Sequence, residues 1–585
     1  MSMLHVPRAL AWAGVLGLLL TGPAAGSWQL GATTPSAAPA PARLQAWGRR
    51  YLRAWHRRHP GQASLDGVHD FDGRLASFSP ASLREERREL DRFQGELDAI
   101  PESGLPFDAR LDRRLAQDNL AWRRLELDEL QPWRRNPMLY ADEISNGLLW
   151  LALFPSSPAP HRLRALVARE RAIPRLLREA RQNLSNPPAV FVRVARESFE
   201  GLQGFVGRDL PAAFEGVGDP GLRRDFQAST VQAGAALAEF LAWLDRDLAP
   251  RAKGDFALGA GRYARLLRTR EGISLPLDQL EAMGERELAA KEARFRELAR
   301  ALDPKATPPD VWAAQRKDHP RPDELLPEAR HQVEVLERFV REKGLAAIPP
   351  HQPLVVAPTP AFLPGTFASQ YMAGPFEPKA VPARYFVTLP DPSWSPARTE
   401  EHLEEYSRRV LWNTSAHEAF PGHFLQGIYL NRIHSPFRAG GTFASDCMVE
   451  GWAHYCEQLM VEQGFMASDP RYELGQVKDA LLRAARFIVS IRLHTGRMTL
   501  DGATHFFMDR ALMAEGPART EAERGTYEPT YLSYTYGKLE LLRLREELRA
   551  RQGAAFSLAR FHEDLLRTGQ VPPWFLRAAL LKEEP

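Results

Sequence analysis

The sequence predicts a mainly α-helical protein with one small β-sheet, on two observations. Across most of the chain, apolar residues recur three and four apart among arginine and glutamate, the period that gathers them on one helix face. One stretch, residues 348–396, breaks that habit with dense prolines and two runs rich in β-branched and aromatic residues. The helical spacing is clearest in Leu83 to Leu97, Arg162 to Leu184, Leu222 to Leu248 and Leu277 to Leu302. Proline clusters such as Pro155-Ser156-Ser157-Pro158 and Asn186-Pro187-Pro188 separate these blocks, because proline lacks the N–H a helical ladder needs. The two β-like runs are Pro353 to Ala357 and Arg384 to Leu389.

Composition narrows the function. Of 585 residues, 44% are hydrophobic and 25% charged, which excludes wholesale disorder, collagen and polytopic membrane architectures. The 76 Lys+Arg are interleaved with 73 Asp+Glu, so no nucleic-acid partner is expected. With only two cysteines, any metal must be held by histidine and carboxylate. Cys447 and Cys456 are nine apart; on one helix their Cα atoms would stand about 13.5 Å apart, beyond disulfide reach, so both are expected as free thiols.

Arg8, the apolar run Ala9 to Leu20 and the small residues through Ser27 read as a cleavable secretory signal over residues 1–26. The run is shorter than the roughly 20 residues that cross a bilayer, so no stable membrane span is expected after cleavage, and the protein is expected in the periplasm or outside the cell. Residues 27–43 read as a Pro/Ala/Ser/Thr linker, 44–258 as an N-terminal helical region and 259–585 as a catalytic helical region, parted by the Gly-rich Leu258 to Gly261. There is no fixed-period repeat, phosphate-cradling glycine loop or glycine-flanked serine elbow, which removes the usual warrants for nucleotide and serine hydrolysis.

The chemistry concentrates in Ala416 to His423 (AHEAFPGH). His417 and Glu418 are adjacent, and His423 follows His417 by six positions. In H-E-x-x-H zinc sites two histidines one turn apart bind the metal and the intervening glutamate activates water. A spacing of six on a regular helix would place the second imidazole about 120° from the first. Pro421 and Gly422 offer a kink that could restore the convergence; the alternative is a helix end with unrelated histidines. Downstream, Phe443 to Met460 is helical in spacing, with Asp446, Glu450, His454 and Glu457 on one stripe and Val449, Trp452, Cys456 and Leu459 near an apolar face. Glu450 or His454 could supply a third ligand, and a plain solvated stripe competes with both. Gly451 beside Trp452 points to close packing against another element.

These motifs resemble a bacterial domain-of-unknown-function family, number eight-eight-five, whose hallmarks H-E-x-x-P-G-H and E-G-W-A-x-Y stand here as His417 to His423 and Glu450 to Tyr455. Leu65 to Leu75 and Ser533 to Leu539 look like two further family segments, so the resemblance covers nearly all of the mature chain. The family is similar to helical zinc peptidases such as carboxypeptidase Taq and thimet oligopeptidase. That implies a large helical zincin-like metallopeptidase fold and a gluzincin-like site, with Zn²⁺ on His417, His423 and Glu450 and Glu418 as base; position 454 is open in the family pattern, which leaves His454 as a ligand or a support of one. Tyr534 is the candidate donor to the developing oxyanion. Arg486 and His494, which resemble residues of the family pattern, are candidates for binding a peptide substrate. The Arg384 to Leu389 run, with Tyr385, is a candidate edge on which an extended peptide could lie. The function expected is hydrolysis of peptides or oligopeptides by metal-activated water. A catalytically silent scaffold, or a metal-dependent amidase or esterase, stands as the alternative.

Overall fold

Prolines open many of the helices in the computed structural model, which describes residues 38–360 and 367–584. Pro80, Pro220, Pro308, Pro396 and Pro470 each sit in a first turn, where the missing N–H costs no hydrogen bond. Ser79, Asp219, Thr307, Ser395 and Asp469 just before them accept hydrogen bonds from the exposed first-turn N–H groups. The repeated pairing of cap and proline is why so proline-rich a chain is mainly helical. The expected signal segment and most of the expected linker lie outside the described residues; helix α1 (Ala40–Arg58) opens inside the linker's last residues, and its Leu44 and Trp47 are fully buried.

After α1 come α2 (Phe107–Leu125), α3 (Met138–Leu153), α4 (Ala159–Asn183) and α5 (Pro220–Trp243). Residues between Leu75 and Ala252 build an apolar core of their own around α3, α4 and α5. By contrast, Leu44, Trp47, Phe93, Leu111 and Leu120 share the main core with residues 325–578. At the Leu258 to Gly261 break Gly259 stands at φ +81° and a helix (Ala260–Glu271) begins, yet the thirteen buried residues from Leu44 to Leu127 in the main core belong with the C-terminal half.

The C-terminal half contributes α6 (Leu277–Leu302) and α7 (Leu325–Lys343), then the sheet. Strands β1 (Leu354–Pro358), β2 (Ala368–Tyr371) and β3 (Ala383–Val387) lie in the order β1-β3-β2, β1 parallel and β2 antiparallel to β3. Then follow α8 (Arg408–Glu418), α9 (His423–Leu430), α10 (Asp446–Glu462), α11 (Pro470–His494) and α12 (Ser533–Gln552). Helix α11 runs against α6, and α10 packs against α12 more closely than ordinary side chains permit. Gly451 of α10 faces Gly537 of α12: a Cβ on Gly451 would stand 2.6 Å from the Gly537 Cα, and one on Gly537 would overlap the Cys447 carbonyl. The mid-helix glycine thus marks a backbone-to-backbone crossing, as its composition implied. Cys447 and Cys456 are free and buried.

Among the described residues no helix is long and apolar enough to cross a membrane.

Candidate metal centre

Helix α8 ends at Glu418 and α9 begins at His423, so the six-residue interval is a break between two helices rather than a kink in one. Gly422 is essential to that turn, because a Cβ there would overlap the carbonyl oxygen of His417. Trp452 of α10 fixes it from below: its indole N–H donates to the carbonyls of Pro421 (3.0 Å) and Gly422 (3.3 Å). The outcome is convergence. The His417 and His423 rings lie 4.7 Å apart at 89°.

Glu450 completes a trio. Its Oε2 is 3.6 Å from His417 Nε2 and 3.5 Å from His423 Nε2, and one ligand atom from each residue lies within 4.8 Å of the others. Ligands about 2.0–2.1 Å from a tetrahedral zinc stand about 3.3 Å from one another, so the observed spacing fits that ion with little adjustment. Two nitrogen donors and one oxygen donor suit zinc, and three protein ligands leave a fourth position open.

Behind the trio, Glu457 is fully buried and saturated with donors. Its Oε1 faces His417 Nδ1 (2.7 Å) and Arg483 (2.9 Å), and its Oε2 faces His454 Nδ1 and the Asn413 amide (both 3.2 Å). Burial would raise the Glu457 carboxyl, but Arg483 and the two histidines hold it well below its ordinary value. Glu457 therefore locks His417 with Nε2 toward the trio, the orientation a ligand requires. In the metal-free protein His417 is protonated up to about 9, because hydrogen bonds to Glu450 and Glu457 outweigh its burial. The same histidines hold Glu450 ionised far below its usual range, against its burial.

The polar stripe of α10 passes from part-exposed to buried along the helix: the Asp446 and Glu450 side chains keep 37% and 26% exposure, and Glu457 keeps none. His454 is fully buried on Glu457, outside the trio, and burial and the nearby Lys538 lower it to about 3, so it stays neutral. Glu418, 9% exposed, sits beside His417 at the end of α8 and is felt electrostatically by Tyr371 and Tyr385. Tyr534 on α12 lies close enough to Glu450 for that carboxylate to raise its phenol, second to burial. Arg486 lies over its ring at 5.2 Å, and an Arg524 nitrogen is 3.5 Å from its hydroxyl.

Three expectations are corrected. Tyr385 is fully buried, its hydroxyl 3.1 Å from Ser415 Oγ, so it supports α8 and presents nothing to a substrate. Its strand, β3, is central and paired on both sides; the sheet's edges belong to β1 and to β2, whose Ala-Ser-Gln-Tyr carries no β-branched residue to announce it. His494 is 1% exposed, stacked on Tyr263 and hydrogen-bonded to the Gly525 carbonyl, and burial lowers it to about 4. Arg486 is 8% exposed and doubly bonded to Glu521 at 2.8 Å, so its guanidinium braces Tyr534 and Tyr531 rather than waiting for a carboxylate. Glu457, Arg483 and Asn413 had no assigned role in the sequence; only Glu457 left a trace, as a member of the α10 stripe.

A solved structure from Shewanella oneidensis, described as a "putative lipoprotein of unknown function", matches with TM-score 0.76 and 25% identity, covering 92% of this chain and 99% of that one. Another described as a lipoprotein, from Colwellia psychrerythraea, matches with TM-score 0.78 and 18% identity over 93% and 99%, a likeness of fold. No curated protein matches this chain. The family model described as "Bacterial protein of unknown function (DUF885)" matches residues 60–580, a span that holds every residue of the trio and its supports, and the chain belongs to that family.

Proposed function

We propose that this chain is an exported zinc-dependent hydrolase of peptides, with a gluzincin-like centre made of His417, His423 and Glu450 and with Glu418 as general base. The observation that carries the reading is the convergence of those three donors, drawn from three helices, beside a carboxylate one residue from the first ligand. A scaffold has no chemical need for that set, nor for a buried Glu457 aiming His417 at it.

Zinc held by His417, His423 and Glu450 would supply a Lewis acid and acidify a water at its open position. Glu418 would serve as the proton acceptor beside that position and as the donor to the departing amine. Tyr534, with Arg524 and Arg486 against it, donates its hydroxyl to the oxyanion that develops on the scissile carbonyl. An extended substrate main chain lies along the outer edge of β2, the last strand of the sheet, whose Tyr371 reaches the surroundings of Glu418. Export is supported by the apolar run near the N-terminus and by the lipoprotein description of the two solved relatives.

The test compares the wild-type protein and Glu418→Gln on a peptide library, with metal content measured on both. Cleavage by the zinc-loaded wild type that the variant lacks, at equal zinc content, supports the reading. Equal cleavage by both proteins assigns the activity elsewhere and overturns it.

A further inference from the structure

A second recess lies where the loop before α10 meets α1, α2 and the helix Ala260–Glu271. Its volume is about 200 Å³, room for one sugar-sized molecule, and Trp55, Trp122 and Phe443 give it apolar walls. Most of its polar groups are committed. Arg123 pairs with Glu86 and Glu126 and lies 4.6 Å over Trp55; Arg270 pairs with Asp446 at 3.1 Å and lies 5.4 Å over Trp122. Asn119 bonds Tyr51 and the Thr442 carbonyl.

Three polar groups are left over. The Thr442 hydroxyl, on a residue only 5% exposed, has no hydrogen-bond partner, and neither has the Trp55 indole N–H. Asp118 is felt by Arg114 and Arg268 only through space, and burial pushes its carboxyl up to about 6. A buried polar atom without a partner is destabilising, because it has lost its water and gained nothing in exchange. Two such atoms, with the part-buried Asp118 carboxylate beside them, call for an occupant that offers both hydroxyl donors and oxygen acceptors.

Charge selects its class. Arg123 and Arg270 balance Glu126 and Asp118 along the walls, so a free anion meets two carboxylates and a free cation meets two guanidinium groups. A neutral ring with several hydroxyls meets neither penalty, and its C–H face suits the aromatic walls. We propose that this recess binds a single pyranose sugar, with Asp118 accepting from its hydroxyls and Trp55 Nε1 and Thr442 Oγ1 donating to its oxygens. The assignment is independent of the hydrolase reading.

Calorimetric titration of the full-length protein with glucose, galactose and N-acetylglucosamine, with glycylglycine and inorganic phosphate as charged controls, tests it. At least one sugar saturates at millimolar concentration, and Thr442→Val or Asp118→Asn weakens it by about tenfold. The proposal is overturned if no sugar saturates, if only a charged control binds here, or if both variants keep wild-type affinity. A crystal soaked with the three sugars decides the matter should either variant fail to fold: a sugar in the recess upholds the assignment and water alone ends it.

Discussion

Replacing Gly451 by alanine probes the contact that sets the geometry of the centre. The new Cβ would lie 2.6 Å from the Cα of Gly537, 2.8 Å from its carbonyl carbon and 3.0 Å from the Lys538 nitrogen, all backbone atoms that cannot rotate away. Normal carbon contacts lie near 3.5–4.0 Å, so α10 and α12 have to part by about 1 Å. Alanine gains about 1 kcal/mol in helix propensity, against an overpacking cost of about 1–3 kcal/mol that lies at its upper end where backbone meets backbone. The net loss is about 1–2 kcal/mol and a fall of a few degrees in Tm. Activity suffers more. Glu450 precedes Gly451 and Tyr534 lies three residues before Gly537, so the separation of ligand from oxyanion donor changes with the helices, and a displacement of about 1 Å costs about 10²-fold in kcat/KM. Thermal unfolding and hydrolysis of a reporter peptide read both effects. Gly95→Ala serves as control, since its Cβ meets nothing within 4 Å and it should stabilise the protein slightly. A Gly451→Ala protein that behaves like this control refutes the crossing as the element that fixes the centre.

Glu457→Gln should lower zinc affinity about 10–100-fold in a chelator competition while leaving Glu418 in place, and an unchanged affinity would deny Glu457 its orienting role. Trp452→Phe deletes the N–H that holds the Pro421 and Gly422 carbonyls, and about 1–2 kcal/mol of stability should go with it in urea unfolding. Stability of the zinc-free protein should respond to pH through His417. Its folded value, about 9, stands above the unfolded 6.5, so its contribution is full below about 6.5 and is lost as pH rises to about 9. Over the same window zinc affinity should rise, because the imidazolium must shed its proton to bind; a flat profile in either measurement contradicts the pairing of His417 with both carboxylates.

Helices were legible because burial on one face imposes a period that survives in sequence, and the spans around Leu83 to Leu97 and Leu277 to Leu302 fall within helices. The two histidines were legible for a related reason: local motifs carry local geometry, and Pro421-Gly422 between them pointed to a kink or a helix end, whereas Glu450 was set apart from His454 only by the family resemblance. What distant elements decide was not legible. Nothing local distinguishes a paired strand from an edge, which is why β3 was misplaced, and nothing in Arg486 or His494 discloses the Glu521 carboxylate or the Gly525 carbonyl that occupy them. The α10 stripe reads the same whether solvent or protein covers it; only α8 and α11, packed against it, turn Glu457 from surface charge into a support for His417. Likewise α1 and α2 carry ordinary amphipathic patterns that do not reveal which half of the chain will cover them.

Metal content of the purified protein tests the central claim most directly. About one zinc per chain should survive exhaustive dialysis of the wild type and of Glu418→Gln, and should be lost from His423→Ala and Glu450→Ala proteins that remain folded. A wild-type protein that holds no zinc after incubation with the ion, or variants that hold as much as wild type, would contradict it.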